Sequence, residues 1–224
     1  ALVDATGVTV AAASIGHEMS IPRPGRAEMD ADRIRWHDFV HLCRTLLAEG
    51  SYSAGQIAGV GISAIGPCML PLDGSGRPLR RGILYGVDAR AGEQIVQLER
   101  RIGRDVINVR AGMALSGQAV SPKIMWLAQQ EPELWDKTRM VTTASSYVGY
   151  RLTGEHVIDH HQAAHSILLY DAETNGWSDE FRDLIIGTDR LPRLGWSQEC
   201  AGTVTAAAAE ITGLRAGTPV AVGA

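Results

Sequence analysis

The chain has 224 residues, 21 basic and 25 acidic side chains, and a net charge of −4, with 45% hydrophobic and 21% charged residues. This is the composition of one large or two small globular domains with a real core, and it excludes a disordered chain. An acidic balance without a basic run leaves no footprint for nucleic acid, and no run reaches the ~18 apolar residues of a membrane helix.

Leu2-Val3 and Val8-Thr9-Val10 flank the turn Asp4-Ala-Thr-Gly7 and predict a hairpin. Pro22-Arg-Pro-Gly25 reads as a loop. Trp36, Val40, Cys43 and Leu47 then recur on one face of a helix, with Asp30 or Asp32 as its cap and Gly50 at its end. Ile57–Ser63, poor in charge, predicts a central strand. Cys68–Leu72 and Ile83–Tyr85 bracket a turn at Asp73-Gly-Ser-Gly76. A second helix is expected from near Asp88, with Ala91, Ile95, Leu98 and Ile102 on one face and Gly103 as its stop. Ser121 and Pro122 read as an N-cap followed by the first residue of another helix. Shorter helices are expected at 144–152, 178–186 and 205–212, followed by Gly154, Gly187 and Gly213, and a last buried strand runs from Pro219. Strands early and helices later predict an α/β domain, a mixed sheet flanked by helices. The run Ala1–Gly7 lacks the basic start of a signal peptide. With no initial Met and an apolar strand at each end, the 224 residues read as one domain cropped from a longer protein. Three distant cysteines, Cys43, Cys68 and Cys200, fit a reducing cytoplasm.

Four motifs invite chemical readings. Gly59-Val-Gly61 with Ala64 mimics a dinucleotide loop, but Gly66-Pro67 and another strand come next in place of a helix, so close backbone packing explains the glycines better. Asp159, His160, His161 and His165 have a spacing that metal sites use, yet lack a fourth ligand nearby; the expectation is surface histidines and no metal. Zinc hydrolysis through these histidines is the alternative reading. Cys68 reads as a small buried hydrophobe rather than a nucleophile. Asp88 and Arg90, where a strand gives way to a helix, could hydrogen-bond a polyol; taken alone, an N-cap aspartate and a solvated arginine describe them better. There is no serine elbow and no Gly-x4-Gly-Lys-Ser/Thr loop.

Several phrases, taken in order, resemble one family. They are Pro22-Arg-Pro-Gly-Arg-Ala-Glu28 with Trp36; Leu72-Asp-Gly-Ser-Gly-Arg-Pro-Leu79 with Ile83-Leu-Tyr85 and Asp88-Ala-Arg90; and Ser121-Pro-Lys-Ile-Met-Trp-Leu127 with Glu131-Pro-Glu133. Leu152-Thr-Gly154, Asp159, Ala163, Tyr170-Asp171, Gly176-Trp177, Leu191-Pro192, Thr212-Gly-Leu214 and Gly217-Thr-Pro-Val220 continue the match. The chain resembles the FGGY carbohydrate kinases, in their xylulokinase-like branch.

The resemblance implies a ribonuclease H-like, actin-like ATPase domain, the N-terminal, sugar-side half of a kinase. Such kinases move the γ-phosphoryl group of ATP, with Mg²⁺, to a hydroxyl of a ketose or polyol. The implied partners are that sugar or polyol and a C-terminal nucleotide-binding domain of the same protein; a homodimer is a further option. The family's D-x-G-T phosphate loop would precede Ala1. Its catalytic Asp would lie just beyond Ala224, so no catalytic residue is assigned here and the 224 residues alone are expected to be inactive. Matched positions give Ile65, Gly66, Pro67, Asp88, Arg90 and Gln118 as the substrate-binding candidates. Three departures bear on the substrate: Ile65-Gly66-Pro67 stands where xylulokinases carry Gln-Met-His, Tyr85 replaces a Trp, and Gln118 replaces an aromatic of some relatives. The donor-poor 65–67 loop motivates the rival reading, a non-catalytic sugar-binding or regulatory module.

Overall fold

The computed structural model describes residues 1–49 and 52–223. The chain opens with a hairpin of β1 (Leu2–Val3) and β2 (Thr9–Ala11), turned as expected at Asp4–Gly7. A second hairpin, β3 (Ser20–Arg23) and β4 (Arg26–Met29), takes in most of the segment predicted as a loop, and only Pro24-Gly25 forms its tip. A π-helical turn at Ala31–Trp36 leads into α1 (His37–Glu49). Of the two capping candidates Asp30 serves, accepting from the Arg33 N–H, whereas Asp32 accepts from the Tyr147 hydroxyl and Arg151. The predicted stop at Gly50 lies outside the described residues.

Then come β5 (Leu70–Leu72), β6 (Gly82–Ile83), α2 (Gly92–Ile102), α3 (Arg104–Ala111), α4 (Ser121–Gln130), α5 (Pro132–Lys137), β7 (Met140–Thr142), α6 (Ala144–Thr153), β8 (Val157–Asp159) and α7 (His160–Ala164). The chain finishes with β9 (Tyr170–Asp171), β10 (Gly176–Trp177), β11 (Arg193–Gly195), β12 (Cys200–Thr203), α8 (Ala206–Thr212) and β13 (Pro219–Ala221).

Four expectations are corrected. Ile57–Ser63 forms no strand, and among the described residues it pairs through Val60, in a parallel bridge to Val220. Residues 178–186 form turns rather than a helix, closed by bonds from the Arg182 N–H to the Asp179 carbonyl and from the Leu184 and Ile185 N–H groups to the Phe181 carbonyl. The helix expected from Asp88 starts at Gly92, so Asp88 caps nothing. The residue preceding α4 is Val120, and the Ser121 hydroxyl donates instead to the Ile167 carbonyl. Helix α3 went unpredicted because its Val106 and Val109 face solvent and only Ile107 is buried, which leaves no amphipathic pattern.

Pairing is mixed: β8 and β11 run parallel and the other ladders are antiparallel. Among the described residues the ladders stay short. Pro71 and Pro219 lack a backbone donor, and the register slips at Ser20/Arg23 and Cys200/Gly202. The Met69–Ile83 bridge joins the β3-β4-β6 sheet to the β5-β7 pair.

The alternation of β5 divides the apolar interior. Met69 points into a core built on α2 and α4, whereas Leu70 and Leu72 point into another, filled by Trp36, Tyr147, Leu152 and Val220. The first core holds Ile83, the last residue of β6, so the candidate site rests on packed apolar side chains. Leu127→Ala, which empties a fully buried position of α4, is expected to cost about 2–5 kcal/mol. Val109→Ala, at an 84% exposed position of α3, should stay within about 0.5 kcal/mol. Urea unfolding of the two variants measures the contrast.

Candidate functional site

Three loops meet beside the end of β6. Ile65–Pro67 enters from one side, Tyr85–Asp88 leaves β6, and Gly117–Gln118 comes from the segment before α4. Gly66 lies so close to Tyr85 that a Cβ there would sit 2.8 Å from the ring. Gly117 accepts from the Gly86 N–H at 3.3 Å and leaves no slack toward the Asp88 carbonyl, which an added Cβ would meet at 3.0 Å. The ring of His165 stands edge-on to Tyr85, 5.5 Å between centroids. Ile65 and Gln118 are exposed, Tyr85 and Gly66 half-buried, and Pro67 buried. The structure therefore brings Ile65, Gly66, Pro67, Asp88 and Gln118 to one wall.

Behind that wall lies a sealed charge network. The Asp88 carboxylate accepts from the Ala27 N–H at 2.7 Å, from the Arg90 N–H, and from the Arg90 guanidinium at 2.7–3.0 Å. Arg90 also bonds Glu28 at 2.8 Å; Arg80 joins Glu28 and reaches Glu131 at 2.6 Å. The guanidinium groups of Arg26, Arg80 and Arg90 all lie over the Trp126 ring, 4.8–5.3 Å from its centre. The side chains of Asp88 and Arg90 are 0% exposed, so they brace the wall from behind and leave its surface to their neighbours. Burial alone would raise the Asp88 pKa, but the bonds from Arg90 and Ala27 outweigh it and hold it below the ordinary 3.8. Burial likewise opposes the Arg90 charge, and Asp88 and Glu28 overcome it, raising its pKa.

Lys123 is the residue that motif reading passed over, though a lysine heading the apolar run Ile124–Leu127 was a visible anomaly. It is 1% exposed, and its Nζ donates to the carbonyls of Leu84 at 3.0 Å and Gly117 at 2.7 Å. Burial drives its pKa down to about 8, partly offset by Cys68 and Asp88. Burial also raises the Cys68 thiol above its ordinary 9.0, which keeps it protonated at neutral pH. Glu28 and Trp126 sat within recognised phrases, but nothing local to either reveals that Arg80 and Arg90 link them.

The other motifs, His165 apart, lie elsewhere. Gly59 packs near the Pro219 carbonyl, and the chain after Gly61 runs into a turn at 65–67 with no helix. Asp159 caps α7 and bonds the Gln162 amide; the His160 Nδ1 lies 2.9 Å from the Tyr170 hydroxyl, and its ring 4.2 Å from Trp196. The His165 Nδ1 lies 3.2 Å from the His161 carbonyl. Among the described residues no group of three His, Cys, Asp or Glu is placed to hold a metal ion.

Comparison with known proteins places this arrangement. The profile of the FGGY family of carbohydrate kinases, N-terminal domain, matches residues 1–224. The chain is 30% identical over 212 residues to a xylulose kinase of Lactococcus lactis, covering 93% of this chain and 41% of the relative. It is 32% identical over 203 residues to an L-xylulose/3-keto-L-gulonate kinase of Escherichia coli, covering 89% and 40%. The crystal structure of a xylulose kinase from Rhodospirillum rubrum superposes with a TM-score of 0.86 at 27% identity, covering 92% of this chain and 42% of that one. The fold is accordingly the ribonuclease H-like, actin-like ATPase fold. The chain belongs to the FGGY family of carbohydrate kinases. It spans less than half the length of the curated relatives it matches. Among the described residues no helix is long and apolar enough to cross a membrane.

Removing one partner of a buried pair leaves the other charge uncompensated. Asp88→Ala is therefore expected to cost about 3–5 kcal/mol in urea unfolding at pH 7. Because the folded pKa of Asp88 is depressed, its stabilisation is complete above its ordinary 3.8 and is lost as pH falls through the folded value. Unfolding series from pH 7 to pH 2.5 should show a smaller loss below pH 3.8 in Asp88→Asn than in the wild type.

Proposed function

We propose that these residues form the sugar-side domain of an ATP-dependent carbohydrate kinase whose acceptor is a ketose or polyol, most nearly xylulose. The observation that carries this reading is the convergence of Ile65–Pro67, Tyr85–Asp88 and Gly117–Gln118 on one wall in front of a braced ion-pair network. A polyol needs donors and acceptors in matched positions. The exposed Gln118 amide offers both, the Tyr85 phenol adds another, and backbone groups of Ile65 and Gly66 fill the place of the missing polar side chains. Ile65 supplies exposed apolar surface against the carbon face of the sugar, with Pro67 buried beneath the loop. Asp88 and Arg90 fix the wall without touching the ligand.

The residues at hand do not build a nucleotide or metal site of their own. They include no Gly-x4-Gly-Lys-Ser/Thr loop, and among the described residues no carboxylate cluster is placed for Mg²⁺. No step is therefore routed through either group. In the complete kinase ATP and Mg²⁺ would meet the acceptor from a C-terminal domain, with the general base outside the 224 residues. What this chain contributes is orientation. Holding a hydroxyl in line for transfer is worth up to about 7–11 kcal/mol of barrier, and closure over the sugar keeps water from competing. The unpaired Cys43, Cys68 and Cys200 support a cytoplasmic setting.

The full-length protein is expected to phosphorylate xylulose or a related ketose or polyol in a coupled ATP assay. Gln118→Ala should raise the KM for that acceptor about tenfold, about 1.4 kcal/mol, with the melting temperature unchanged because the side chain is exposed. A sugar that shifts the melting temperature without any ATP-dependent turnover would replace the kinase by a non-catalytic sugar-binding module, the outcome that the donor-poor 65–67 loop favours.

A further inference from the structure

We propose that Lys123 is a positioning residue: by bonding the carbonyls of Leu84 and Gly117 at once, its ammonium sets the distance between the Tyr85 and Gln118 sides of the acceptor wall. The inference rests on the proposed sugar site and assigns the task to a group that cannot itself reach a sugar.

The geometry is specific. Lys123 is in the first turn of α4, and the two carbonyls it holds belong to separate stretches of chain, at 3.0 and 2.7 Å. Each carbonyl belongs to the residue immediately before a wall residue: Leu84 before Tyr85, Gly117 before Gln118. Gly117 takes a second donor, the Gly86 N–H, so its carbonyl is shared between helix and loop. A shift of this carbonyl moves both sides of the wall together.

Stability does not explain the charge. An ammonium removed from water is expensive, and an apolar side chain of similar volume in such a place is often neutral or stabilising. Its neighbours along α4, Ile124, Met125 and Leu127, are buried and apolar, so a methionine would suit the helix. What methionine could not do is donate to two carbonyls.

The clamp also has a pH signature. The groups that face Lys123 electrostatically are Cys68, Asp88 and Arg90. Asp88 is ionised and Arg90 charged throughout the alkaline range, and the Cys68 thiol is pushed above 9.0. In the folded protein Lys123 loses its proton near pH 8, and a neutral amine donates weaker hydrogen bonds. The unfolded chain keeps the proton up to 10.5, so between pH 8 and 10.5 this residue's contribution makes the fold more stable, not less. Wall alignment and global stability thus change in opposite directions, which a purely structural lysine would not produce.

The test uses the full-length protein, wild type and Lys123→Met, with xylulose as the probe acceptor, and hydrogen exchange on both proteins without ligand. The expected result for Lys123→Met is a KM for xylulose raised about tenfold and a KM for ATP within twofold of wild type. Amide exchange should be about tenfold faster at 84–87 and 116–119, with α2 and α6 unchanged and a melting temperature equal or higher. In the wild type the KM for xylulose should rise between pH 8 and 10 without a fall in melting temperature; this profile carries the test if Lys123→Met does not fold. Unchanged exchange at both loops, or uniform acceleration with a lowered melting temperature, overturns the proposal. If wild type phosphorylates no acceptor, the kinase reading fails, while the exchange comparison still decides the clamp.

Discussion

A carboxylate taken out of water has to be compensated where it sits, and Asp88 is compensated by donors from two distant parts of the chain. Arg90 supplies its backbone N–H and its guanidinium, and Ala27 supplies the N–H of a β4 residue. Because neither source can withdraw without stranding a charge, the β3–β4 hairpin and the segment after β6 are held in one relation. Glu28, adjacent to Ala27, extends the bond to Arg80, and Arg80 to Glu131 at the start of α5. The network therefore ties a hairpin, a strand exit and two helices into a single support, with the Trp126 ring as its apolar backing.

This support explains a division of labour in the acceptor wall. Residues that carry charge are turned inward, and those that meet solvent are neutral: Ile65, Gly66, Tyr85 and Gln118. A neutral surface with amide, phenol and backbone groups suits an uncharged polyol, whose hydroxyls are bonded without the desolvation penalty of an ion. Rigid support behind a neutral surface is the arrangement that keeps a binding geometry from drifting. The two apolar cores on either side of β5 give the support something firm to stand on.

Much of this was legible in the sequence where the signal is local. The 3.6-residue spacing of Trp36, Val40, Cys43 and Leu47 gave α1, and the glycine-terminated runs gave α6 and α8. The FGGY resemblance singled out Ile65–Pro67, Asp88 and Gln118 by position, and the loops that carry them do lie together. What failed was tertiary. Asp88 at the edge of a helical pattern looks like a cap, and only the hairpin 61 positions earlier in the chain, folded back to offer Ala27, reveals its actual partner. Lys123 stood out as a charge heading an apolar run, but its partners are backbone carbonyls, which leave no mark on residue identity. Ile57–Ser63 has the composition of a central strand, yet composition cannot say how many of its backbone groups find a neighbour.

The contact between Gly66 and Tyr85 has a consequence for how such a protein diversifies. The ring lies where a side chain at position 66 would have to go, so a larger residue at 66 requires the ring to turn aside. A bulkier residue at 66 therefore comes with a re-aimed aromatic at 85. The size of residue 66 would thus set the direction in which the phenol hydroxyl points, so that a change in one loop is read out on the loop facing it.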